Sequence, residues 1–199
     1  MIDVRIMAHP SRREHVEHIL AVLSLPEDAV AWDDRETTGD AMYTSLKAWT
    51  QPLPDGCTHR LVLQDDVEPC DNFLEIAEQV AANFPAQIVS FFHCERYPDG
   101  TRYKRTSFLW GCAVMLPATL VKNCWDFIER IPEQPWYRNA GDIMHHDDNC
   151  ILAWAVFNEV PIINTVPALV QHVGDMSLVG TAEKRTAPDY TKTPPTTGW

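Results

Sequence analysis

The amino-acid sequence predicts an α/β fold, a three-layer α/β/α sandwich whose sheet is mostly parallel. Short apolar runs that suit buried strands alternate with helical patterns through the first half of the chain. Acidic residues follow two of these runs directly, at the position where open α/β sheets place their ligand crevices. The runs around Phe91 and Trp110 have no helical pattern between them, which disfavours a continuous doubly wound sheet.

The first strand-turn-helix unit begins with a predicted strand at residues 4–8, which His9 ends together with the proline after it. The segment Ser11–Glu14 has the spacing of a capping box, which opens an amphipathic helix. Arg12 and Arg13 lie at the start of this helix, where backbone N–H groups and the helix dipole favour anions. They therefore bind an anionic ligand or are simply two solvated surface residues.

The second predicted strand is followed directly by Asp33 and Asp34. Asp40 can cap the next helix, at residues 41–49, which contains Lys47. This unit repeats the order of the first one, a strand, a polar turn and a helix, and so supports a parallel arrangement.

The third predicted strand is the central one. Its apolar residues, 61–63, are followed by Gln64, Asp65 and Asp66. Neighbouring side chains on an extended segment point to opposite sides, so one carboxylate can meet a metal ion while the other meets a hydroxyl group. The alternative is an acidic turn without a ligand, because aspartate is common in turns.

The remaining predicted elements are a helix over 72–82 capped by Asp71, strands over 87–92 and 110–116, a helix from Pro117 to Ile128, a long loop over 132–141 and a helix over 147–158. Between these two strands, the basic cluster Arg102, Lys104 and Arg105 is either a solvated loop or a contact for a diphosphate. We expect one domain over residues 1–180 and an extended or mobile Thr/Pro-rich tail over 181–199.

Composition narrows the class of protein. The formal net charge is −12, which disfavours non-specific attraction to nucleic acid or to an anionic membrane. The N-terminal segment lacks the features of a signal peptide, and no apolar run approaches the ~18 residues of a membrane span. The six cysteines are scattered without a Cys-x-x-Cys pair, which is typical of reduced thiols in a cytoplasmic protein.

Several short motifs occur together in an order that resembles GT-A-fold glycosyltransferases, over roughly residues 4 to 180. They are the arginines after the first strand, the aspartates after the second, Gln64–Val67, Trp110–Ala113 with Pro117, His146–Asp148, and Gln171–Gly174 with Ser177. The pattern is most similar to the bacterial lipopolysaccharide and collagen-type galactosyltransferase families and related small phage enzymes. Their double-Asp segment is commonly Glu-Asp-Asp-Val, and here Gln64 replaces the glutamate.

The resemblance implies a metal-dependent enzyme that moves a sugar from a nucleoside-diphosphate sugar, most simply a UDP-sugar, to a hydroxyl acceptor. Carboxylate and imidazole groups can hold Mn²⁺ or Mg²⁺, and Asp66 and His172 are the expected ligands. Without the resemblance, His172 would be taken as a hydrogen-bonded core histidine. The nucleotide sugar is expected to contact His9, Arg12, Arg13, Asp33, Asp34, Lys47, Asp65, Trp110 and Gly111.

The resemblance also places the general base at the start of the helix over 147–158. Asp148 is the first choice for taking the proton from the acceptor hydroxyl, in a reaction that inverts the anomeric centre. Asp147 is the second choice, and its alternative role is to cap the helix. In the same region Trp136 and Tyr137 are acceptor-binding candidates because they lie in a loop.

Two other classes of function fit the same residues. One is a metal-dependent hydrolase in which His145, His146 and the neighbouring aspartates form a metal cluster with Asp65 and Asp66. The other is a non-catalytic domain that binds glycans, which the amide of Gln64 favours. For a transferase, the acceptor classes are a saccharide, a protein side chain or a modified base in phage DNA; the net charge of −12 disfavours DNA without excluding it.

Overall fold

The computed structural model describes residues 1–35, 41–131, 146–174 and 185–199. These residues form a seven-stranded sheet with helices on both faces, so the predicted α/β fold is confirmed. Five of the seven strands run in one direction, which makes the sheet mixed but mostly parallel.

The strands are β1 (Ile2–Ala8), β2 (Val30–Trp32), β3 (His59–Gln64), β4 (Val67–Pro69), β5 (Ile88–Ser90), β6 (Tyr103–Thr106), β7 (Ala113–Pro117), β8 (Ile162–Thr165) and β9 (Val170–His172). The helices are α1 (Arg13–Leu23), α2 (Ala41–Thr50), α3 (Phe73–Asn83), α4 (Ala118–Ile128) and α5 (Asp147–Phe157). Two short 3-10 turns, Pro10–Arg12 and Glu27–Ala29, precede α1 and β2.

The strand order in the large sheet is β2-β1-β3-β7-β5-β8-β6. Strand β7 runs antiparallel to both of its neighbours, and edge strand β6 runs antiparallel to β8. The chain between β5 and β7 contains only β6 and no helix, as expected from the sequence, and this explains the reversal at β7. Strands β4 and β9 form a separate antiparallel pair.

The central strand β3 connects the two hydrophobic layers. Leu61 and Leu63 are fully buried against the layer that contains α1 and α3, and Val62 points into the opposite layer with α2, α4 and α5. This alternation follows from the two-residue period of a strand. Full burial of each such side chain contributes roughly 1.5–3 kcal/mol, so β3 and its C-terminal carboxylates are held firmly in place.

A buried ion pair supports the opposite end of β3. The side chain of Arg60 is wholly buried, and its Nη2 lies 2.6 Å from Asp3 Oδ2 on β1. Its guanidinium also donates to the carbonyl oxygens of Trp49, Gln51 and Pro52, at and just after the end of α2. Arg60 therefore joins β3, β1 and the end of α2 far from the carboxyl ends of the strands.

Two predicted helix caps are wrong. The backbone N–H of Ser11 donates to His9 Nδ1, and α1 begins only at Arg13, without a side-chain cap. Helix α3 begins after Asn72, and Asp71 accepts instead from Thr193 Oγ1 at 2.7 Å. In both cases the side chain that the spacing assigns to the helix bonds elsewhere, Ser11 Oγ to His9 Nδ1 at 2.8 Å and Asp71 to Thr193.

Four short strands were not predicted, namely β4, β6, β8 and β9. Strand β6 contains two of the three residues of the basic cluster, Lys104 and Arg105, which are exposed on it, while Arg102 directly precedes the strand. Charged side chains are common on such an edge strand because they discourage pairing with other chains. β6 lies four strand positions from β3, which counts against a shared diphosphate site at the double aspartate.

Residues 185–199 have no helix or strand but are joined to the rest of the fold. Asn83 Nδ2 and Gln79 Nε2 on α3 donate to the carbonyl oxygens of Trp199 and Thr196 at 2.7 Å each. Trp199 is 6% exposed and belongs to the hydrophobic layer that contains α1 and α3. Residues 185–199 are therefore packed against the core, while the predicted division at residue 180 lies outside the described residues.

Each of the six cysteines is a free thiol. Within the described ranges, no helix has the length and apolar character needed to cross a bilayer.

Candidate functional site

The candidate site lies at the carboxyl ends of three adjacent parallel strands, β2, β1 and β3. In the sheet β1 lies between the other two, and its register with β3 places Met7 beside Gln64. The residues that follow the three strands therefore meet at one edge. As predicted, these are His9 and Arg12 after β1, Asp33 and Asp34 after β2, and Asp65 and Asp66 after β3.

The closest contacts are made by Arg12. Its Nη1 lies 2.6 Å from Asp65 Oδ1 and 2.6 Å from Asp66 Oδ2, so one guanidinium nitrogen bridges both carboxylates. The backbone N–H of His9 donates to the other oxygen of Asp65 at 2.6 Å. The turn after β1 thus holds the double aspartate through one side chain and one backbone group.

The far half of the chain supplies His172, through the small sheet. Val67 pairs with His172 in the β4–β9 ladder, and Val173 N–H donates to the backbone carbonyl of Asp66 at 2.8 Å. His172 Nε2 consequently lies 3.1 Å from Asp66 Oδ2. A Cβ on Gly174 would lie 3.0 Å from that same oxygen, so any larger residue here would require Asp66 or this backbone to shift.

The two aspartates differ in their electrostatic environment although they share Arg12. Burial raises the pKa of Asp65, and the charge of Arg12 and the His9 N–H only partly offset this effect. Burial acts in the same direction on Asp66, but His172 and Arg12 together outweigh it and hold the pKa of Asp66 below its ordinary value. We expect Asp66 to be the more firmly ionised of the two, which suits a metal ligand.

The arrangement fits a divalent ion only if the ligand supplies part of the coordination shell. Asp66 Oδ1 and His172 Nδ1 are buried and have no hydrogen-bond partner in the part of the chain that the structure describes. Within that same part, no group of three or more His, Cys, Asp or Glu side chains could hold a metal ion alone. Asp66 and His172 offer one oxygen and one nitrogen, a donor set suited to Mn²⁺, and diphosphate oxygens and water would complete the shell.

Gly111 joins this cluster to the start of α5. Its backbone N–H lies 3.3 Å from Asp148 Oδ2, and a Cβ on it would lie 3.1 Å from Gln64 Nε2. The same Cβ would lie 3.5 Å from Asp147 Oδ1. Because Gln64 directly precedes Asp65, the acidic start of α5 is a neighbour of the double aspartate, as the sequence predicted.

The two aspartates of α5 have different surroundings. Asp147 is buried and accepts from Ser45 Oγ at 2.7 Å, whereas Asp148 is partly exposed and accepts from the N–H groups of Gly111 and Asn149. Capping by Asp147 is therefore wrong: the N-cap residue is His146, without a side-chain cap, and Asp147 bonds to α2. Of the pair, Asp148 is the one that an acceptor could approach.

Both of these carboxyl groups resist ionisation. Burial raises the pKa of Asp147, and the negative charge of Asp148 raises it further. Burial also raises the pKa of Asp148, although backbone N–H groups and the nearby charges of His146 and Arg185 oppose the effect. A carboxylate with a raised pKa is a stronger base than an ordinary one, which suits proton abstraction.

A second group of charges surrounds the end of β2. Asp33 is buried and forms two hydrogen bonds with the Arg35 side chain, at 3.1 Å each. Asp34 is exposed and accepts from Tyr43 OH at 2.6 Å and Lys47 Nζ at 3.0 Å. Lys47 is thus brought to the strand end as predicted, but it contacts Asp34 and the Trp32 carbonyl rather than the double aspartate.

Arg13 and Trp110, two more of the predicted nucleotide contacts, each pack against other side chains. Arg13 lies over the ring of Trp32, 4.6 Å from its centroid, and so faces β2 rather than Asp65. Trp110 is partly buried and lies edge-to-face with Phe92. Its ring is also covered by the guanidinium of Arg185 at 4.5 Å.

Some expected residues lie outside the described ranges, and some site residues were missed. Asp40, Trp136, Tyr137, His145 and Ser177 belong to the first group. The missed residues are Arg35, Tyr43, Ser45, Gly174 and Arg185. Two of these had a signal: Arg35 directly follows the two aspartates after β2, and Gly174 belongs to the Gln171–Gly174 motif, although no role was assigned to it. The other three reach the site through contacts between distant segments.

Comparison with known proteins does not assign the chain to a family. The chain matches no protein-family model, and no curated protein sequence is significantly similar to it.

Proposed function

We propose that the chain is a cytoplasmic, metal-dependent glycosyltransferase that moves a sugar from a nucleoside-diphosphate sugar, most simply a UDP-sugar, to a hydroxyl acceptor. One observation carries the proposal: Asp65 and Asp66, at the end of the central strand, lie among a metal-suited histidine, an arginine and a second pair of carboxylates. Metal-assisted transfer from a diphosphate needs groups of these kinds side by side.

The two halves of the reaction use different carboxylates. A divalent ion held by Asp66 and His172 would stabilise the negative charge that grows on the departing diphosphate. Asp65 lies beside Asp66, held by the His9 N–H, and would accept a hydrogen bond from a hydroxyl of the donor.

Asp148 acts on the acceptor. The acceptor oxygen forms its bond to the anomeric carbon as the bond from that carbon to the diphosphate oxygen breaks. Asp148 takes the proton from the acceptor hydroxyl, and the electron pair of the broken bond leaves with the nucleoside diphosphate. Gly111 N–H, which donates to Asp148 Oδ2, keeps this carboxylate aimed along the crevice.

Among the described residues, the hydrolase hypothesis has less support. It requires the aspartates of α5 to join one metal cluster with Asp65 and Asp66. Asp147 is instead bonded to Ser45, and no such cluster of ligands is present in the described ranges.

The test measures both binding and turnover. Purified protein is melted with UDP in Mn²⁺ and, separately, with UDP in EDTA, because a ligand that binds the native state must raise its melting temperature. It is then incubated with a panel of nucleotide sugars in Mn²⁺, and released nucleoside diphosphate is measured. We expect both the thermal shift and the release to require Mn²⁺.

His172→Ala and His93→Ala form a matched pair for this test. Both histidines are at least half-buried. His93 follows β5, which β7 separates from β3, and its Nδ1 bonds to the Glu95 carbonyl oxygen. We expect only His172→Ala to abolish the Mn²⁺-dependent shift. Equal stabilisation by UDP in EDTA, or release of phosphate from many unrelated esters, would reject the proposed transferase.

A further inference from the structure

One feature of the candidate site has no place in the proposed reaction, namely the position of the Arg12 guanidinium. Its Nη1 lies 2.6 Å from an oxygen of Asp65 and 2.6 Å from an oxygen of Asp66. That is the space between the two carboxylates where a bound cation would be attracted most strongly. Asp66 Oδ2, the oxygen nearest to His172, is one of the two that Arg12 contacts.

Arg12 therefore opposes a metal ion at this pair: its positive charge is held by Asp66 Oδ2, and only Asp66 Oδ1 has no partner among the described residues. The two carboxylates with one guanidinium carry a net charge of −1, whereas without the guanidinium they would carry −2. A free divalent cation meets a weaker field at this pair than its two aspartates alone would create. It must also displace hydrogen bonds in which both partners are charged, the strongest class in proteins.

The position of Arg12 in the chain also favours contact with an anionic ligand. It directly precedes α1, where the unpaired N–H groups and the positive end of the helix dipole favour an anion. Its side chain is 18% exposed, while those of Asp65 and Asp66 are 8% and 9% exposed, so Arg12 is the most accessible of the three side chains. A diphosphate bound over the pair would meet Arg12 first.

We propose that Arg12 hinders the binding of free divalent cations to the Asp65–Asp66 pair. Its guanidinium moves from the carboxylates to the diphosphate when a metal–nucleotide complex binds. Metal and nucleotide then bind cooperatively, since each removes an obstacle to the other. The nucleotide half of this inference rests on the proposed function, whereas the competition with metal does not.

The experiment compares the two neighbouring arginines. Arg12→Gln and Arg13→Gln remove the same charge one residue apart, but Arg13 contacts the Trp32 ring and not the carboxylates. Each protein is titrated with Mn²⁺ alone, and free Mn²⁺ is followed by electron paramagnetic resonance. We expect Arg12→Gln to bind Mn²⁺ on the order of ten- to a hundredfold more tightly than wild type, and Arg13→Gln to bind it as wild type does.

A second titration measures UDP in saturating Mn²⁺. We expect Arg12→Gln to bind UDP about tenfold or more weakly than wild type, because the diphosphate loses a cationic partner. The effect of UDP on Mn²⁺ affinity should also shrink in this variant, since the two couplings are reciprocal. Arg12→Lys keeps a positive charge near the pair, so it supports folding if Arg12→Gln does not fold, and its Mn²⁺ affinity should be intermediate.

Mn²⁺ binding by Arg12→Gln that is no tighter than that of wild type and Arg13→Gln would overturn the inference. Tighter Mn²⁺ binding by Arg12→Gln with undiminished UDP affinity would overturn the transfer to the diphosphate. If no protein binds UDP but Arg12→Gln still binds Mn²⁺ more tightly, the competition at the pair is supported and the proposed function is not.

Discussion

Replacing Asp147 by asparagine should change how the stability of the protein depends on pH. The carboxyl group of Asp147 is buried and accepts a hydrogen bond from Ser45. Burial, and then the charge of Asp148, raise the pKa of Asp147 from 3.8 to about 6. An asparagine side chain has nearly the same shape and can still accept from Ser45, but it does not titrate, so the substitution removes only the ionisation.

The sign of the effect follows from proton binding. Between about pH 4 and pH 6 the folded protein holds the Asp147 proton more tightly than the unfolded chain does, so its free energy of unfolding falls as the pH rises. The stabilisation that comes from this tighter proton binding by Asp147 is fully present below about pH 4. It is lost as the pH passes the folded pKa of about 6. From the cost of ~1.4 kcal/mol per pKa unit, its full size is at most about 3 kcal/mol.

The assay is urea unfolding of wild type and Asp147→Asn at pH 4, 5, 6 and 7. We expect the stability of wild type relative to the variant to decrease from pH 4 to pH 6 and to level off by pH 7. Asp126→Asn, a surface change next to Lys122 on α4, is the control and should show no comparable trend. A difference that is constant with pH, or that grows as the pH rises, would refute the argument that Asp147 is a buried acid whose ionisation opposes folding.

Three further substitutions test other parts of the structure. Asp148→Asn should keep metal and UDP binding but slow sugar transfer by about a hundredfold or more, measured as initial rates, because general-base assistance is lost; near-normal rates would remove Asp148 from the mechanism. Gly174→Ala should weaken Mn²⁺-dependent UDP binding by about tenfold, measured by calorimetry, because its Cβ would lie 3.0 Å from Asp66 Oδ2; unchanged affinity would show that the backbone yields there. Arg60→Met should lower the free energy of unfolding by about 3–5 kcal/mol in urea, because it removes one partner of a buried ion pair with Asp3; a loss below about 1 kcal/mol would contradict that role.

The parts of the structure that were predictable are those with a strong local pattern. The apolar run at Leu61–Leu63 identifies the central strand, and its position before Asp65 and Asp66 places both carboxylates at a sheet edge. Long helices with an apolar stripe were also found within a few residues of their observed ends. In each case the signal and the structure depend on the same few neighbouring residues.

The missed elements depend on distant partners instead. Strands β4 and β9 have three residues each and are stable only because they pair with one another. Each contains a single valine among polar residues or proline, so neither has the apolar run that identifies the equally short β2 and β5. The contact between His172 and Asp66, which the resemblance implied, follows from that pairing and from nothing local.

Directions of individual side chains were also beyond the sequence. Arg12 and Arg13 are chemically identical neighbours, yet one bridges two carboxylates and the other lies over Trp32. Similarly, Asp147 and Asp148 are distinguished only by the approach of Ser45 on one side and Gly111 on the other. Tertiary packing decides these choices, because a one-residue step on a helix turns a side chain by about 100°.

The β4–β9 pairing has a consequence for how the candidate site forms during synthesis. Asp66 emerges early, but His172 and the strand that positions it are made much later, so a growing chain lacks one half of the candidate site for most of its length. Pairing of such distant segments is also slow, because the entropy of closing the long intervening loop is lost before the stabilising contacts form. Under the proposed function, UDP with Mn²⁺ would bind only after this pairing, so it would favour the last step of folding rather than the first.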